Sequence, residues 1–200
     1  MSMPNPMSRT APPIVYSRAG SVVFCKTKEE WGGLSNMAAA FPIVISGIEF
    51  RTSEALYQAC RFPSRPDVQQ KIVSATSPLL AKNQSKPFRK TDLRPDWDDV
   101  EVAVMRWCLQ VKLKQNWQSF ASLLRATQDL PIVEQSRRDD FWGAREAPGE
   151  PDKLVGRNVL GRLLVELRRE VVVKAKTPFT PVDPLPIPDF LLYGKPIPRL

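Results

Sequence analysis

Histidine is absent from this 200-residue chain. That absence removes Ser-His-Asp and Cys-His nucleophilic catalysis, together with histidine-ligated zinc. Any proton chemistry must therefore run on Asp, Glu, Lys, Tyr or Cys. Cysteine is scarce too: Cys25, Cys60 and Cys108 are odd in number and far apart. No CxxC pair occurs, which argues against a zinc ribbon or a thioredoxin-like motif. Buried, reduced thiols in a cytoplasmic protein are the expectation, with no metal and no cofactor. No run of eighteen apolar residues exists, so neither a spanning helix nor a membrane partner is expected. Met1 to Pro13 carries one basic residue and no apolar core, and does not read as a secretory signal.

What is present is charge and proline. Lys and Arg number 29 against 21 Asp and Glu, a formal net charge of +8. A surplus of that size favours phosphate-bearing partners, nucleic acids or nucleotides, without choosing between them. Prolines gather at the ends, four in Met1–Pro13 and seven in Pro178–Leu200. Such segments continue neither a helix nor a central strand. Residues 1–20 are expected to be a proline-containing tail, 21–177 the functional domain, and 178–200 a proline-rich tail. Phe179, Leu185, Ile187, Phe190, Leu191, Leu192 and Tyr193 recur among the C-terminal prolines, so at least Phe190 to Tyr193 should dock on the domain.

Between the tails, Val22 to Cys25 is a short strand. Pro42–Ile45 and Ile48–Phe50 flank Ser46-Gly47, a two-residue hairpin connection. Thr52 or Ser53 caps a helix to about Arg61, and Asp67–Ala75 reads as another. Ser77-Pro78 opens a third, to about Asn83. Asp96 caps the longest, to about Gln115, with Val100, Val104, Trp107, Cys108 and Val111 on one stripe. Trp117–Thr127 is helical, Leu130–Glu134 a strand, and Asn158–Val172 a helix with Leu160, Leu163, Leu164, Leu167 and Val171 inward. The fold class is α+β, a helix-dominated single domain with a small antiparallel sheet.

Three polar-aromatic segments interrupt this pattern. Trp31-Gly32-Gly33-Leu34-Ser35-Asn36 pairs glycines that permit close approach of a ligand with Ser and Asn that bond sugar hydroxyls or phosphates. A surface turn before the hairpin accounts for it as well. In Thr52–Phe62, Glu54 lies where the helix dipole favours a carboxylate, and Gln58 and Arg61 share its face. That stripe serves equally as a solvated surface or as an acid, an amide and a cation presented to one ligand. Glu134–Arg145 crowds Arg137, Arg138, Asp139, Asp140, Phe141, Trp142 and Gly143 together. Aromatic faces beside carboxylates suit a flat base or a planar cationic sugar, and a salt-bridged loop with core anchors suits the same residues.

The order WGGLSN, SEALYQACRF, ATSPLLAKNQ, RPDW, VKLKQN, LLRATQDLPIVEQSRRDDFWG, GRNVLGRLLVELR resembles the NADAR/YbiA-like family from about Trp31 to Arg168. The resemblance implies a compact α+β domain that hydrolyses N-glycosidic bonds. Some members resemble enzymes that discard phosphoribosylated riboflavin-pathway intermediates. Others remove ADP-ribose from guanine in nucleic acid, as antitoxins to DarT-type DNA ADP-ribosyltransferases. Position by position it implies Glu54, Asp139 and Lys82 as catalytic residues. Gly33, Ser35, Asn36, Tyr57, Trp97, Trp142, Gly143 and Asn158 are the implied substrate contacts. The partners implied are ADP-ribosylated nucleic acid or a phosphorylated ribosyl small molecule, with a cognate ADP-ribosyltransferase toxin. Ala55 stands where the family usually has histidine, Arg61 where it has lysine, and Ala144-Arg145 where it is glycine-rich. Those departures keep a non-catalytic ADP-ribose or nucleic-acid binding module open as the alternative from another class.

Overall fold

Ser46 and Gly47 take φ of 50° and 78°. That pair of positive angles is the turn whose twist matches a two-residue hairpin, and it explains the glycine. The computed structural model describes residues 7–172, 177–178 and 180–200. Phe179 and the first six residues of the expected N-terminal tail lie outside the described residues. In chain order the elements are β1 (Ile14–Ser17), β2 (Val22–Phe24), β3 (Ile43–Ile45), β4 (Ile48–Phe50), α1 (Ser53–Ala59), α2 (Pro66–Val73), α3 (Pro78–Ser85), α4 (Trp97–Gln115), α5 (Trp117–Ala126), β5 (Ile132–Glu134), β6 (Arg145–Ala147), β7 (Glu150–Gly156), α6 (Val159–Val172), β8 (Leu191–Leu192) and β9 (Lys195–Pro196). The fold is α+β and helix-dominated, as expected. None of the described helices is long and apolar enough to cross a membrane.

The chain divides into two compact units, residues 1–35 with 122–175, and 36–121 with 176–200. In the first, β1, β7 and β6 form an antiparallel sheet in that order, with Ile14 opposite Gly156 and Arg145 opposite Val155. β2 pairs β5 in parallel, Val22 opposite Ile132. Strand β1 lies within the segment expected to be tail. Ile14 and Val15 are exposed, so no apolar alternation announced it. Strands β6 and β7 were also absent from the sequence reading. The first four residues of β7, Glu150 to Lys153, are exposed, and Pro151 among them reads as a breaker. The proline is tolerated near the strand's start, beside a register shift at Glu146/Ala147.

Helix α6 packs on β5, and its Leu160, Leu163, Leu164, Leu167 and Val171 are all buried, as the stripe predicts. It starts one residue later than expected. Asn158 takes φ of 50°, a left-handed conformation that asparagine tolerates. Its side chain fastens helix to strand: Oδ1 accepts from the Glu134 amide at 3.0 Å and Nδ2 donates to the Ile132 carbonyl at 2.8 Å. A Cβ on Gly161 would lie 2.0 Å from that same carbonyl, so only glycine fits there.

In the second unit, the Thr52 hydroxyl caps α1 by accepting from the Ala55 amide (3.1 Å), and Ser77 caps α3 by accepting from Leu80 (3.2 Å). Asp96 precedes α4 but makes no side-chain cap. Both its oxygens accept from the buried Arg94 guanidinium, at 2.6 and 2.9 Å, which corrects the capping expectation. On α4, Val104, Trp107, Cys108 and Val111 are buried and Val100 is half-buried. Cys60 and Cys108 are buried free thiols, whereas Cys25 is exposed, contrary to expectation. At the C-terminal end of α4, the Gln115 amide clasps Val44 of β3, accepting from its N–H and donating to its carbonyl, both at 2.7 Å.

The C-terminal segment is tied to this unit. Phe190 meets the Trp107 ring edge-to-face at 4.8 Å, and Trp107 Nε1 donates to the Asp183 carbonyl at 3.0 Å. Gln69 donates to the Leu191 carbonyl and accepts from the Tyr193 amide, and Arg94 donates to the Pro188 carbonyl. The docking expected of Phe190 to Tyr193 is therefore seen.

One buried cation sets a pH dependence. Lys112 of α4 is fully buried, its ammonium 4.1 Å from the Phe120 ring centroid and 4.7 Å from that of Phe41. Burial pushes its amine from 10.5 down to about 7. Below pH 7 folded and unfolded chains both hold this proton. Between about 7 and 10.5 only the unfolded chain does, so stability rises with pH across that window. From pH 7 to 9 the expected gain from this group is about 2 kcal/mol. Denaturant titration reads it, and Lys112→Met is expected to remove that part of the slope; a variant as steep as the wild type would contradict the assignment.

Candidate functional site

Glu54 opens the first turn of α1, where the helix dipole favours its charge. It is only 7 % exposed, and its amide donates to the Asn36 carbonyl at 3.0 Å. One turn on, Gln58 Nε2 donates to Glu54 Oε1 at 2.8 Å. Gln58 Oε1 in turn accepts from the Ser85 hydroxyl of α3 at 2.8 Å and from Arg89 at 3.1 Å. Arg89 also donates to Ser85 Oγ through Nε at 3.2 Å and its terminal nitrogen at 2.8 Å. A continuous relay thus fixes the Glu54 carboxylate, with Gln58 as its hub. Because every acceptor beside Arg89 is neutral, its charge is oriented without being cancelled.

Beside the relay, the Arg61 guanidinium sits over two aromatic rings, 4.3 Å from the Trp97 ring centroid and 5.0 Å from that of Tyr57. It donates to the Tyr57 hydroxyl at 3.3 Å. Its Nε is buried without an acceptor. Tyr57 and Trp97 are themselves buried, centroids 5.1 Å apart. Burial holds the Tyr57 phenol well above its ordinary value, so it stays protonated. Burial and the neighbouring Arg61 charge lower the Arg89 guanidinium. In place of a base, then, Trp97 carries Arg61 on its face.

The remaining expected residues of this unit have bracing or flanking positions. Asn36 is buried, donating through Nδ2 to Met105 Sδ at 2.8 Å and accepting from the Ser53 hydroxyl through both its oxygens. It thereby locks the start of α1. Lys82 is half-buried on α3, and its carbonyl accepts from Ser85 Oγ at 2.8 Å. The structure therefore brings Glu54, Tyr57 and Trp97 together with four residues outside the predicted set: Gln58, Arg61, Ser85 and Arg89. Gln58 and Arg61 belong to the stripe that serves equally as a solvated surface or as an amide and a cation presented to one ligand. Ser85 and Arg89 stand one turn apart in a Lys-rich stretch indistinguishable from a solvated face, so no sequence signal marked them.

The other unit gathers the second group of expected residues. Asp139 Oδ1 accepts from the amides of Phe141 and Trp142, each at 2.9 Å. Ser136 Oγ accepts from the Arg138 and Asp139 amides. These bonds curl the loop so that the Phe141 and Trp142 carbonyls accept from Val159 and Leu160, satisfying the first amides of α6. Phe141 is buried with the Arg9 guanidinium 4.4 Å from its centroid, and half-buried Trp142 packs edge-to-face on it at 5.1 Å. Gly143 has no room for a side chain, since a Cβ would fall 2.6 Å from the Glu134 carbonyl. Asn158, with both its amide groups bonded to β5, is fully buried. Gly33 and Ser35 belong to the short helical turn of Gly32–Leu34, where Gly32 is the glycine that sterics demand: a Cβ there would sit 2.4 Å from the Thr27 carbonyl. Among the described residues no group of three or more Cys, Asp or Glu is placed to hold a metal.

The NADAR domain model matches residues 23–172. The chain is 35% identical over 155 residues to N-glycosidase YbiA of Shigella boydii and 34% identical to that of Escherichia coli, spanning 76% of this chain and 88% of each relative. It is 33% identical over 150 residues to the riboflavin biosynthesis protein VVA0006 of Vibrio vulnificus, covering 75% of this chain and 38% of that protein. The NMR structure of Escherichia coli YbiA superposes with a TM-score of 0.63 at 30% identity, over 78% of this chain and 88% of that one. The chain belongs to the NADAR family.

Proposed function

We propose that this protein is an N-glycosidase that hydrolyses a ribose C1–N bond, removing ADP-ribose from guanine in nucleic acid as antitoxin to a DarT-type DNA ADP-ribosyltransferase. Similarity to proteins named N-glycosidase YbiA supports the bond broken. The observation that carries the chemistry is the Glu54 carboxylate, buried, held through one oxygen by Gln58, and near the Arg89 guanidinium, which Arg61 neighbours in turn. Breaking the bond builds positive charge on C1 and the ring oxygen, and negative charge on the departing base. A fixed carboxylate stabilises the first and orients the attacking water. Asp139 is the second carboxylate that the family resemblance assigns. The same resemblance assigns Lys82, for which protonating the base, binding phosphate and attacking C1 are the candidate roles, the last requiring a neutral amine.

The net charge of +8 supports a nucleic-acid substrate, because phosphate contacts supply most non-specific affinity for DNA. A second reading, hydrolysis of phosphoribosylated riboflavin-pathway intermediates, is favoured by the relatives named riboflavin biosynthesis proteins in Vibrio vulnificus and Zea mays. The test is to incubate the protein with DNA carrying ADP-ribosylated guanine and, separately, with phosphoribosylated pyrimidine. Release of free ADP-ribose is the expected result. Cleavage of the pyrimidine substrate alone would move the assignment to the second reading, and binding without release would make the protein a non-catalytic module.

A further inference from the structure

Arg89, on which the charge of Glu54 acts, and its neighbour Arg61 have no carboxylate bound to either among the described residues. Arg89 spends its hydrogen bonds on Gln58 Oε1 and Ser85 Oγ, both neutral. Arg61 spends one on the Tyr57 hydroxyl and sits over the rings of Trp97 and Tyr57. Among the described residues neither guanidinium has an acidic partner within ion-pair distance, while Arg65, Arg94 and Arg157 each have one. Both are half-buried, and the Arg61 Nε–H is shielded from solvent without an acceptor.

Both guanidinium groups share one half-buried place on which the carboxylates of Glu54 and Glu101 act through charge without an ion pair to either, so an incoming anion completes the set. The supporting residues also preset direction. The two ring contacts and the Tyr57 hydroxyl hold Arg61 in place, and the Ser85–Gln58 pair holds Arg89, so little side-chain freedom remains to be lost on binding. A planar, charged fork held in this way matches the tetrahedral oxygens of a phosphoryl group.

We infer that Arg61 and Arg89 form an anion subsite beside Glu54 that seats the 5′-phosphoryl group of a ribosyl substrate. The identity of the sugar rests on the N-glycosidase reading; the subsite itself rests on the geometry of α1 and α3. A phosphate monoester on ribose and the diphosphate of ADP-ribose present the same chemistry, and the probes below separate them.

The experiment measures binding first, by thermal shift and calorimetry of the full chain with ribose, ribose 5-phosphate and ADP-ribose. Ribose 5-phosphate is expected to bind and ribose not to bind at the same concentration. Arg89→Gln and Arg61→Gln are each expected to weaken ribose 5-phosphate by about tenfold or more, the scale of one charge-assisted hydrogen bond. Arg89→Lys keeps the charge and loses the fork, and should fall between, which keeps the test open if the glutamine variants do not fold. Tighter binding of ADP-ribose identifies the diphosphate as the natural group, and equal binding identifies the monoester. The subsite is overturned if ribose and ribose 5-phosphate bind the wild type alike, or if folded Arg89→Gln holds ribose 5-phosphate as the wild type does. In turnover, the preference for a 5′-phosphorylated over a dephosphorylated N-ribosyl substrate, read as a ratio of kcat/KM, is expected to collapse by a similar factor. Intact phosphate-dependent binding with no C1–N cleavage by the wild type would remove the proposed function and leave the subsite standing.

Discussion

Glu54→Gln is expected to lower the rate of ADP-ribose release by about 10²-fold or more, the scale typical of a positioned acid–base group. The substitution tests charge rather than architecture. A glutamine oxygen at this position still accepts from Gln58 Nε2, so the relay through Ser85 and Arg89 survives. Removing a carboxylate from beside two guanidinium groups leaves their repulsion less opposed, yet the side-chain volume is unchanged. Melting temperature should therefore move little while turnover collapses. Asp139→Asn is the companion experiment. An amide oxygen accepts from the Phe141 and Trp142 amides as the carboxylate does, so the loop persists and only the charge is lost. Wild-type turnover in both variants would sink the mechanism. Loss in Glu54→Gln alone would confine the chemistry to the α1–α3 relay.

Trp107→Ala should destabilise the protein by about 3–5 kcal/mol, the range for truncating a large buried aromatic. The ring is almost wholly buried in α4, so the change opens a cavity in the second unit. It also unfastens the C-terminal segment at two points: the edge-to-face packing of Phe190 and the Nε1 bond to the Asp183 carbonyl. Two readouts separate these losses. Denaturant titration reports the cavity, and limited proteolysis reports release of the segment between Asp183 and Phe190. Trp107→Phe keeps much of the packing and removes the donor, for an expected cost of about 1 kcal/mol. An alanine variant as stable and as protease-resistant as the wild type would show that the segment is held elsewhere.

The helices were readable because their signals are local and redundant. Thr52, Ser77 and the Ser46-Gly47 turn each carry a chemistry that works without the rest of the chain, and the stripes of α4 and α6 repeat over several turns. Asp96 shows the limit. Its sequence position suits a cap, but the neighbouring Arg94 offers a stronger bidentate partner, and the carboxylate goes there instead. Strands β1, β6 and β7 were hidden for a different reason. Their exposed residues carry no alternation; β1 pairs residues about 140 apart, such as Ile14 and Gly156, so nothing nearby in sequence reports it, and the local hairpin of β6 and β7 is masked by its exposed residues and Pro151. The site divides in the same way. Glu54 and Asp139 were legible from the family's motifs, and the structure gives each a defined set of bonds. Trp97 and Asn158 were expected as ligand contacts and are found buried, one beneath Arg61 and the other bonded to β5. Ser85 and Arg89 gained meaning only when α3 was laid against α1.

The clasp of Gln115 on Val44 bears on how this protein behaves at high concentration. β3 is half of an isolated two-stranded hairpin, and Val44 is a large apolar side chain on it that is 49% exposed. Such an edge invites a strand from another molecule, because bare N–H and C=O groups template further pairing. The Gln115 amide imitates the incoming strand, filling one donor and one acceptor with a group that cannot extend the ladder. A side chain spent on no catalytic task thus acts as a stopper against self-association, and Gln115→Ala would hand those two backbone groups to the next copy of the chain.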